Sequence, residues 1–392
     1  MTTYDFDEIV RREDTGSVKY DSRKQMFGAG DVIPLWIADM DFRTPDFIVD
    51  AIKKRVAHEI YGYSFVPESF YESVRGWINK RHGWDIDRAW MLSCPGVVPS
   101  LVSAVLSYTE PGDAVIVQSP VYCPFFDVIR DNGRIVVNNP LELRNGRLSM
   151  NFDHLQECLH EKVKLLFLCS PHNPGGTVWM KDELDRLGEI CRSNGTIIVS
   201  DEIHSDLIFR GHKHIPTASV SDEFLHNTIT LISPGKTFNL SGLTASVAII
   251  PNGDLRLRFL NTLKRLHWTI PNVFSLVAFE AAYRHGEEWL KQLIAYLERN
   301  LAFLIDFFHS ESPRIKVIRP EGTYLAWLDC RDLDINRTEL NDLLIGRAKV
   351  GLSDGALFGT GGEGFQRLNF ACPFPVLKEA LERIRRAAYP RG

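Results

Sequence analysis

Short, wholly apolar runs alternate with longer amphipathic stretches along most of the chain. Ala114–Gln118, Lys164–Cys169, Thr196–Ser200 and Thr228–Ser233 are too short for buried helices and read as strands. The apolar run within Thr244–Pro251 suits another buried strand. Between them the period changes from two to 3.6. Thr44-Pro45-Asp46 opens an amphipathic stretch to about Glu59, and Pro67–His82 carries Phe70, Val74, Trp77 and Ile78 at helical spacing. Leu101–Thr109 reads as a helix ended by the turn Glu110-Pro111-Gly112-Asp113, and Lys181–Asn194 as one ended by Gly195. Leu255–His267, Phe274–His285 and the long Glu287–Ser310 continue the helical series. Strands near Lys316–Arg319 and Thr323–Asp329, a helix near Arg337–Ala348 and a last helix from Pro375 complete it. Short apolar strands separated by helices predict an α/β protein whose mostly parallel sheet is covered on both faces. No internal repeat or low-complexity stretch interrupts the pattern.

At 392 residues the chain is long enough for two domains. The change of pattern divides it into an N-terminal segment, residues 1–45, a large α/β domain, 46–286, and a smaller C-terminal α+β domain, 287–392. The formal net charge is −5, without a basic cluster, which argues against nucleic acid and an anionic membrane as partners. Met1 to Arg12 is mixed and acidic, unlike a secretory signal, and no run approaches the roughly 18 apolar residues of a membrane span. The seven cysteines are scattered and never form a CxxC pair. They read as reduced thiols in a cytoplasmic protein, with no metal expected.

Ligands of open α/β sheets bind at the carboxyl ends of the strands. Ala114–Gln118 is followed by Ser119-Pro120-Val121-Tyr122, and Lys164–Cys169 by Ser170-Pro171-His172-Asn173-Pro174-Gly175-Gly176. Thr196–Ser200 is followed by Asp201-Glu202-Ile203-His204, and Thr228–Ser233 by Pro234-Gly235-Lys236-Thr237-Phe238. One edge thus receives a ring, an amide, a carboxylate and an amine, a coherent set for an aromatic cation carrying an aldehyde and a phosphate. Lys236 among apolar and cationic neighbours is unprotonated more readily and can form a Schiff base. Asp201 can keep a pyridinium nitrogen protonated, and Tyr122 can stack on the ring. Gly96-Val97-Val98 lies just before a helix start, where free N–H groups favour a phosphate, and Ser233 can add a hydroxyl. Taken singly, the lysine is a loop residue, the aspartate a cap and Asn173-Pro174-Gly175-Gly176 a turn; the ordered set carries the inference.

The segment from Ser233 through Lys236 to Leu243 resembles the lysine segment of class I/II aminotransferases, the fold type I enzymes of pyridoxal 5′-phosphate (PLP). His172-Asn173-Pro174-Gly175-Gly176 and Asp201-Glu202-Ile203-His204 stand in that family's order and spacing, and the likeness runs from about Leu35 to the end. A narrower resemblance is to the MalY/PatB type of cystathionine β-lyase, or C–S β-lyase. It rests on Pro34-Leu35-Trp36-Ile37-Ala38-Asp39-Met40-Asp41-Phe42, Tyr61-Gly62-Tyr63-Ser64, Pro95-Gly96-Val97-Val98-Pro99 and His204. Many relatives carry tyrosine at the position of His204, facing the ring's 3-oxygen; the resemblance therefore puts His204 near the cofactor. It implies that Arg367, within Gln366-Arg367-Leu368-Asn369-Phe370, holds the substrate α-carboxylate as a guanidinium fork. Asn173, Ala38 and Tyr122 join it around the substrate, with the thioether along Trp36–Phe42. Tyr63 is implied to reach the phosphate of a neighbouring subunit, which requires a homodimer. Cis peptide bonds are implied at Ser119-Pro120 and Asn173-Pro174.

The implied activity is α,β-elimination from L-cystathionine or a related S-substituted cysteine, giving a thiol, pyruvate and ammonia. The alternatives are an aminotransferase on the same scaffold, and a PLP-binding regulator without turnover. Against the regulator stand the presence of Lys236, Asp201 and Arg367 together and the lack of a helix-turn-helix segment or basic arm.

Overall fold

The apolar runs lie side by side as strands of one seven-stranded sheet. The computed structural model describes residues 2–389; Met1 and residues 390–392, the outer ends of the first and last expected segments, lie outside the described residues. Across the sheet the order is Met91–Cys94, Ser246–Ile249, Thr228–Ile232, Ile197–Asp201, Val163–Cys169, Ala114–Val117 and Ile135–Asn138. The last five pair in parallel, and Ser246–Ile249 runs antiparallel to both its neighbours.

Strand side chains alternate between two cores, because the pleat sends successive residues to opposite faces. Val115, Val117, Leu165, Phe167 and Val199 pack with Leu101, Val105, Phe125 and Phe259 on one face. Ala114, Ile116, Leu166, Leu168 and Ile198 pack with Leu155, Leu184, Leu187 and Phe224 on the other. Burial on both faces is why these strands are apolar throughout rather than alternating.

A four-stranded antiparallel sheet follows, ordered Lys316–Ile318, Leu325–Asp329, Phe365–Asn369 and Ser353–Asp354. The helix Val273–His285 ends at Gly286, and the helix Glu287–Glu311 starts directly after it. Gly286 lies so close to Phe238 that an added Cβ would come within 2.2 Å of its ring. The helix expected over Arg337–Ala348 is α-helical over Arg337–Asn341 and widens to a π-helical turn over Asp342–Arg347.

Two differences bear on the site. The helix expected from Leu101 begins at Val97, because Pro99 sits in the first turn, where its missing N–H costs no helical bond. The edge strands Met91–Cys94 and Ile135–Asn138 were not anticipated. Ile135 is exposed and both runs are short and mixed, so they lack the apolar signature of the inner strands. Among the described residues, no helix is long and apolar enough to cross a membrane.

The N-terminal segment is tied down by charge rather than by strands, apart from the short parallel pair Ile33–Pro34 with Val350–Gly351. Lys19 is fully buried and its Nζ donates to Asp41 at 2.7 Å. Arg12 donates to the other oxygen of Asp41 at 2.6 Å and to Asp39 at 2.8 Å. This cluster fixes the irregular stretch Trp36–Asp41 beside the carboxyl ends of the large sheet.

Candidate active site

A cavity of about 230 Å³ opens at those strand ends. Gly96, Val97, Val98, Tyr122, Asn173, Asp201, His204, Ser233, Lys236 and Ala38 all line it. Arg367 reaches it through Asn173, whose Oδ1 accepts its Nη1–H at 2.9 Å. The sequence-predicted residues are thereby gathered in one place, with one exception. Tyr63 is 94% exposed and lines a separate surface hollow with Tyr61, Ile270, Pro271 and Phe274.

Local turns aim these side chains. Phe238 N–H donates to Pro234 O and Leu240 N–H to Gly235 O, both at 2.9 Å, closing a turn that lifts Lys236 from the strand end into the cavity. Thr237, behind it, is buried and donates to Asp206 Oδ2 at 3.0 Å. Ser119–Pro120 and Asn173–Pro174 are cis, as expected, and Ser170–Pro171 is a third cis bond. Gly96 adopts φ 150° at the helix start, in a region that favours glycine, and the first-turn N–H groups of Val97 and Val98 point outward without helical partners.

The electrostatics of the cavity wall are unbalanced. Burial pushes the Asp201 carboxyl up to about 7, and its recorded hydrogen bond is from Ile203 N–H at 3.1 Å. Burial, reinforced by the nearby Arg367 charge and opposed by Asp39, brings the Lys236 amine down to about 8. Arg367 is buried; it donates to Asn173, Trp36 O and Ser353 Oγ, its Nε has no partner, and no ion pair to a carboxylate is present among the described residues. Burial lowers its guanidinium to about 10. His204 is buried with Nδ1 unpartnered, and desolvation drives it well below the usual histidine range. Burial of the Tyr122 hydroxyl raises it. Each of these groups has hydrogen-bonding or charge capacity left over, which in a protein interior marks a ligand's place.

The Ser233 hydroxyl donates to Ala245 O at 2.6 Å and accepts from Gly235 N–H at 3.1 Å. Ser241 and Thr244 line the same rim. Thr244 holds φ 38°, a conformation that β-branched residues rarely adopt.

The sequence reading also missed the residues that hold Trp36–Asp41 in place. Trp36 O accepts from Arg367 and Ser353, and Ala38 O from Lys236 and Tyr324. Asn369 donates to Ile37 O and Asp39 O, and Asn239 to Met40 O and Phe42 O. Asn369 and Asn239 stood inside the singled-out motifs, but nothing in their spacing shows that they anchor a segment hundreds of residues away.

The chain matches the aminotransferase class I and II family model over residues 30–384. It is 43% identical to cystathionine beta-lyase PatB of Bacillus subtilis, over 97% of this chain and 99% of that one. Among solved structures it superposes with a TM-score of 0.95 on cystalysin from Treponema denticola, which contains a pyridoxal 5′-phosphate cofactor; the identity is 36%, over 98% of this chain and 99% of that one. The PLP-bound C-S lyase from Staphylococcus hominis superposes with a TM-score of 0.91 at 33% identity, over 99% of this chain and 100% of that one. With its strand-end lysine, aspartate and asparagine around one cavity and this match across nearly its whole length, the chain belongs to the aminotransferase class I and II family.

Proposed function

We propose that the protein is a PLP-dependent carbon–sulfur β-lyase, converting L-cystathionine or a related S-substituted cysteine to a thiol, pyruvate and ammonia. The observation that carries this reading is a half-buried lysine in the cavity, Lys236, with a buried arginine without a carboxylate, Arg367, behind the cavity residue Asn173.

The residues present fit the cofactor. Asp201 is a buried carboxylate short of a cation, His204 Nδ1 is an orphaned buried nitrogen, and the first turn of Val97–Tyr108 offers free N–H groups to a phosphate. When bound, PLP supplies an aldehyde that takes up amines and a protonated ring that accepts electrons from Cα. Asp201 would hold the proton on the ring nitrogen, a contact that would offset the cost of its own burial. Val97 and Val98 would hold the phosphate, and Tyr122 would offer its ring to the cofactor's. Arg367 and Asn173 grip the substrate carboxylate, which fixes the direction of the Cα–H bond. Lys236, poised near neutrality, takes that proton. The sulfur leaves from Cβ as a thiolate, which needs no acid catalyst. The curated relatives named cystathionine beta-lyase and the C-S lyase structures support elimination over amino transfer.

A homodimer belongs to the same reading, with Tyr63 contributed to the partner's phosphate. Its support is the exposed apolar group Ile60, Tyr61, Tyr63, Phe65 and Ile270. A cytoplasmic setting fits seven cysteines that are all unpaired. The deciding experiment supplies L-cystathionine with no keto acid and assays pyruvate and ammonia, beside amino transfer to 2-oxoglutarate. Pyruvate release supports the lyase; efficient amino transfer without pyruvate from any thioether makes the protein an aminotransferase.

A further inference from the structure

Between Trp36 and Asp41 the backbone carbonyls are aimed by side chains. Asn369 Nδ2 donates to Ile37 O at 2.7 Å and to Asp39 O at 2.6 Å. With the carbonyls on either side drawn to one amide, the carbonyl of Ala38 is left to other donors. It receives Lys236 Nζ at 2.6 Å and the Tyr324 hydroxyl at 3.0 Å. Tyr324 is fully buried, and this carbonyl is the recorded acceptor of its hydroxyl. Thr323, at φ 70°, donates its N–H to Leu207 O at 2.6 Å and so fixes where the tyrosine begins; the ring then meets His204 edge-on at 5.9 Å.

We propose that Tyr324 is a positioning residue: with Asn369 it aims the Ala38 carbonyl at Lys236 Nζ, making that oxygen the holding site of the lysine ammonium and biasing the reaction toward elimination. The holding site stands on geometry alone; the bias rests on the lyase reading.

The proton accounting shows why a holding site matters. Lys236 takes a proton from Cα, and the electron pair left there forms the Cα–Cβ double bond as the Cβ–S pair departs with the thiolate. The thiolate picks up its proton from solvent, so its departure asks nothing further of the ammonium, which has only to lose its own proton to solvent before the amine can displace the product. Amino transfer would instead need Lys236 to deliver that proton to a second carbon. An ammonium tethered through one of its three N–H groups to a fixed acceptor is kept from swinging to a second site, which slows the second path and leaves departure of the thiolate untouched.

Tyr324→Phe removes one hydroxyl and keeps the ring, so the fold survives; circular dichroism and the melting temperature check this. The first measurement uses apoenzyme: the rate of PLP capture against pH reports the protonation of Lys236. Loss of aim weakens the acceptor, so the profile should move to lower pH. The second uses holoenzyme: the ratio of amino transfer to pyruvate formation should rise severalfold. Wild-type profile and ratio in a natively folded variant overturn the proposal. A profile moved to higher pH overturns it as well, because the hydroxyl then competes with Lys236 for the carbonyl instead of aiming it. The apoenzyme arm needs no turnover, so it still tests the holding site if wild-type protein releases no pyruvate and the lyase reading falls.

Discussion

Asp201 ends the strand Ile197–Asp201 and Asp206 lies five residues further on; both are buried, and their surroundings are opposite. Asp201 faces the cavity with a single recorded hydrogen bond, and burial raises its carboxyl to about 7. Asp206 faces away and accepts from Trp77 Nε1 at 3.0 Å and Thr237 Oγ1 at 3.0 Å, with Arg81 and His82 each at 3.6 Å. Burial acts against its charge, yet His82, Arg81 and Thr237 outweigh it and hold the carboxyl below the usual range. Glu202, between them in sequence, also belongs to the satisfied layer: His214 at 2.8 Å, Thr217 N–H and Ser200 share its oxygens. The chain thus builds two layers. The inner layer pairs every charge and holds the scaffold. The cavity layer leaves Asp201, His204, Lys236 and Arg367 underpaired, and that unspent capacity is what a ligand completes.

The contrast predicts that damage to the cavity layer lowers turnover, whereas damage to the inner layer lowers stability. The largest effect belongs to Lys236→Ala, which removes both the cofactor's anchor and the proton acceptor. Turnover should fall at least about a thousandfold, roughly 4 kcal/mol of barrier, with no loss in melting temperature of the apoprotein. Borohydride reduction of the wild-type holoenzyme and peptide mapping should place the label on Lys236; a label on Lys181 or Lys264 breaks the assignment.

Arg367→Ala should follow. One charge-assisted bidentate contact to a carboxylate, with its loss of orientation, is worth about 3 kcal/mol, or roughly a hundredfold in kcat/KM. Apoprotein stability should hold or rise, because an unpaired buried guanidinium disappears. A melting temperature several degrees lower with kcat/KM intact would move Arg367 to the structural layer.

Asp206→Ala tests the other side. It strands the Trp77 and Thr237 donors in the interior and should cost about 3 kcal/mol in chemical denaturation. Its folded fraction should bind PLP nearly as tightly as wild type. Near-native stability would erase the distinction between the layers.

The smallest effect is the most specific. In the folded apoprotein Asp201 keeps its proton up to about pH 7, while the unfolded chain loses it near its ordinary value of 3.8. The folded state binds the extra proton, so this group's contribution to stability falls as pH rises from about 4 to 7, and the full penalty stands above 7. Asp201→Asn should therefore stabilise the apoprotein, by about 2 kcal/mol more at pH 8 than at pH 5. Turnover of the same variant should be crippled. Equal stabilisation at both pH values would show that Asp201 is already paired without the cofactor.

Much of this site was legible before any coordinates. Inner strands buried on both faces must be apolar throughout, so Lys164–Cys169 and Thr228–Ser233 announced themselves within a residue or so. The residue after each strand is then confined to one edge of the sheet, which is why Asp201, Lys236, Asn173 and Tyr122 could be grouped on sequence alone. The edge strands escaped because one half-exposed face dilutes the apolar run. That the Ser233 hydroxyl meets Ala245 O, twelve residues on, was not legible in its neighbours.

The sequence by itself determined the strands, their carboxyl-end chemistry and, through motif order, the family, because these depend on local periodicity and on neighbours in the chain. The tertiary structure alone decided which polar groups are left unpaired. Arg367 looks like any surface arginine until strand Phe365–Asn369 buries it beside Asn173, and Tyr324 looks like a core aromatic until its hydroxyl meets Ala38 O. Pairing of a buried donor depends on acceptors 194 and 286 residues away, and no local pattern carries that distance.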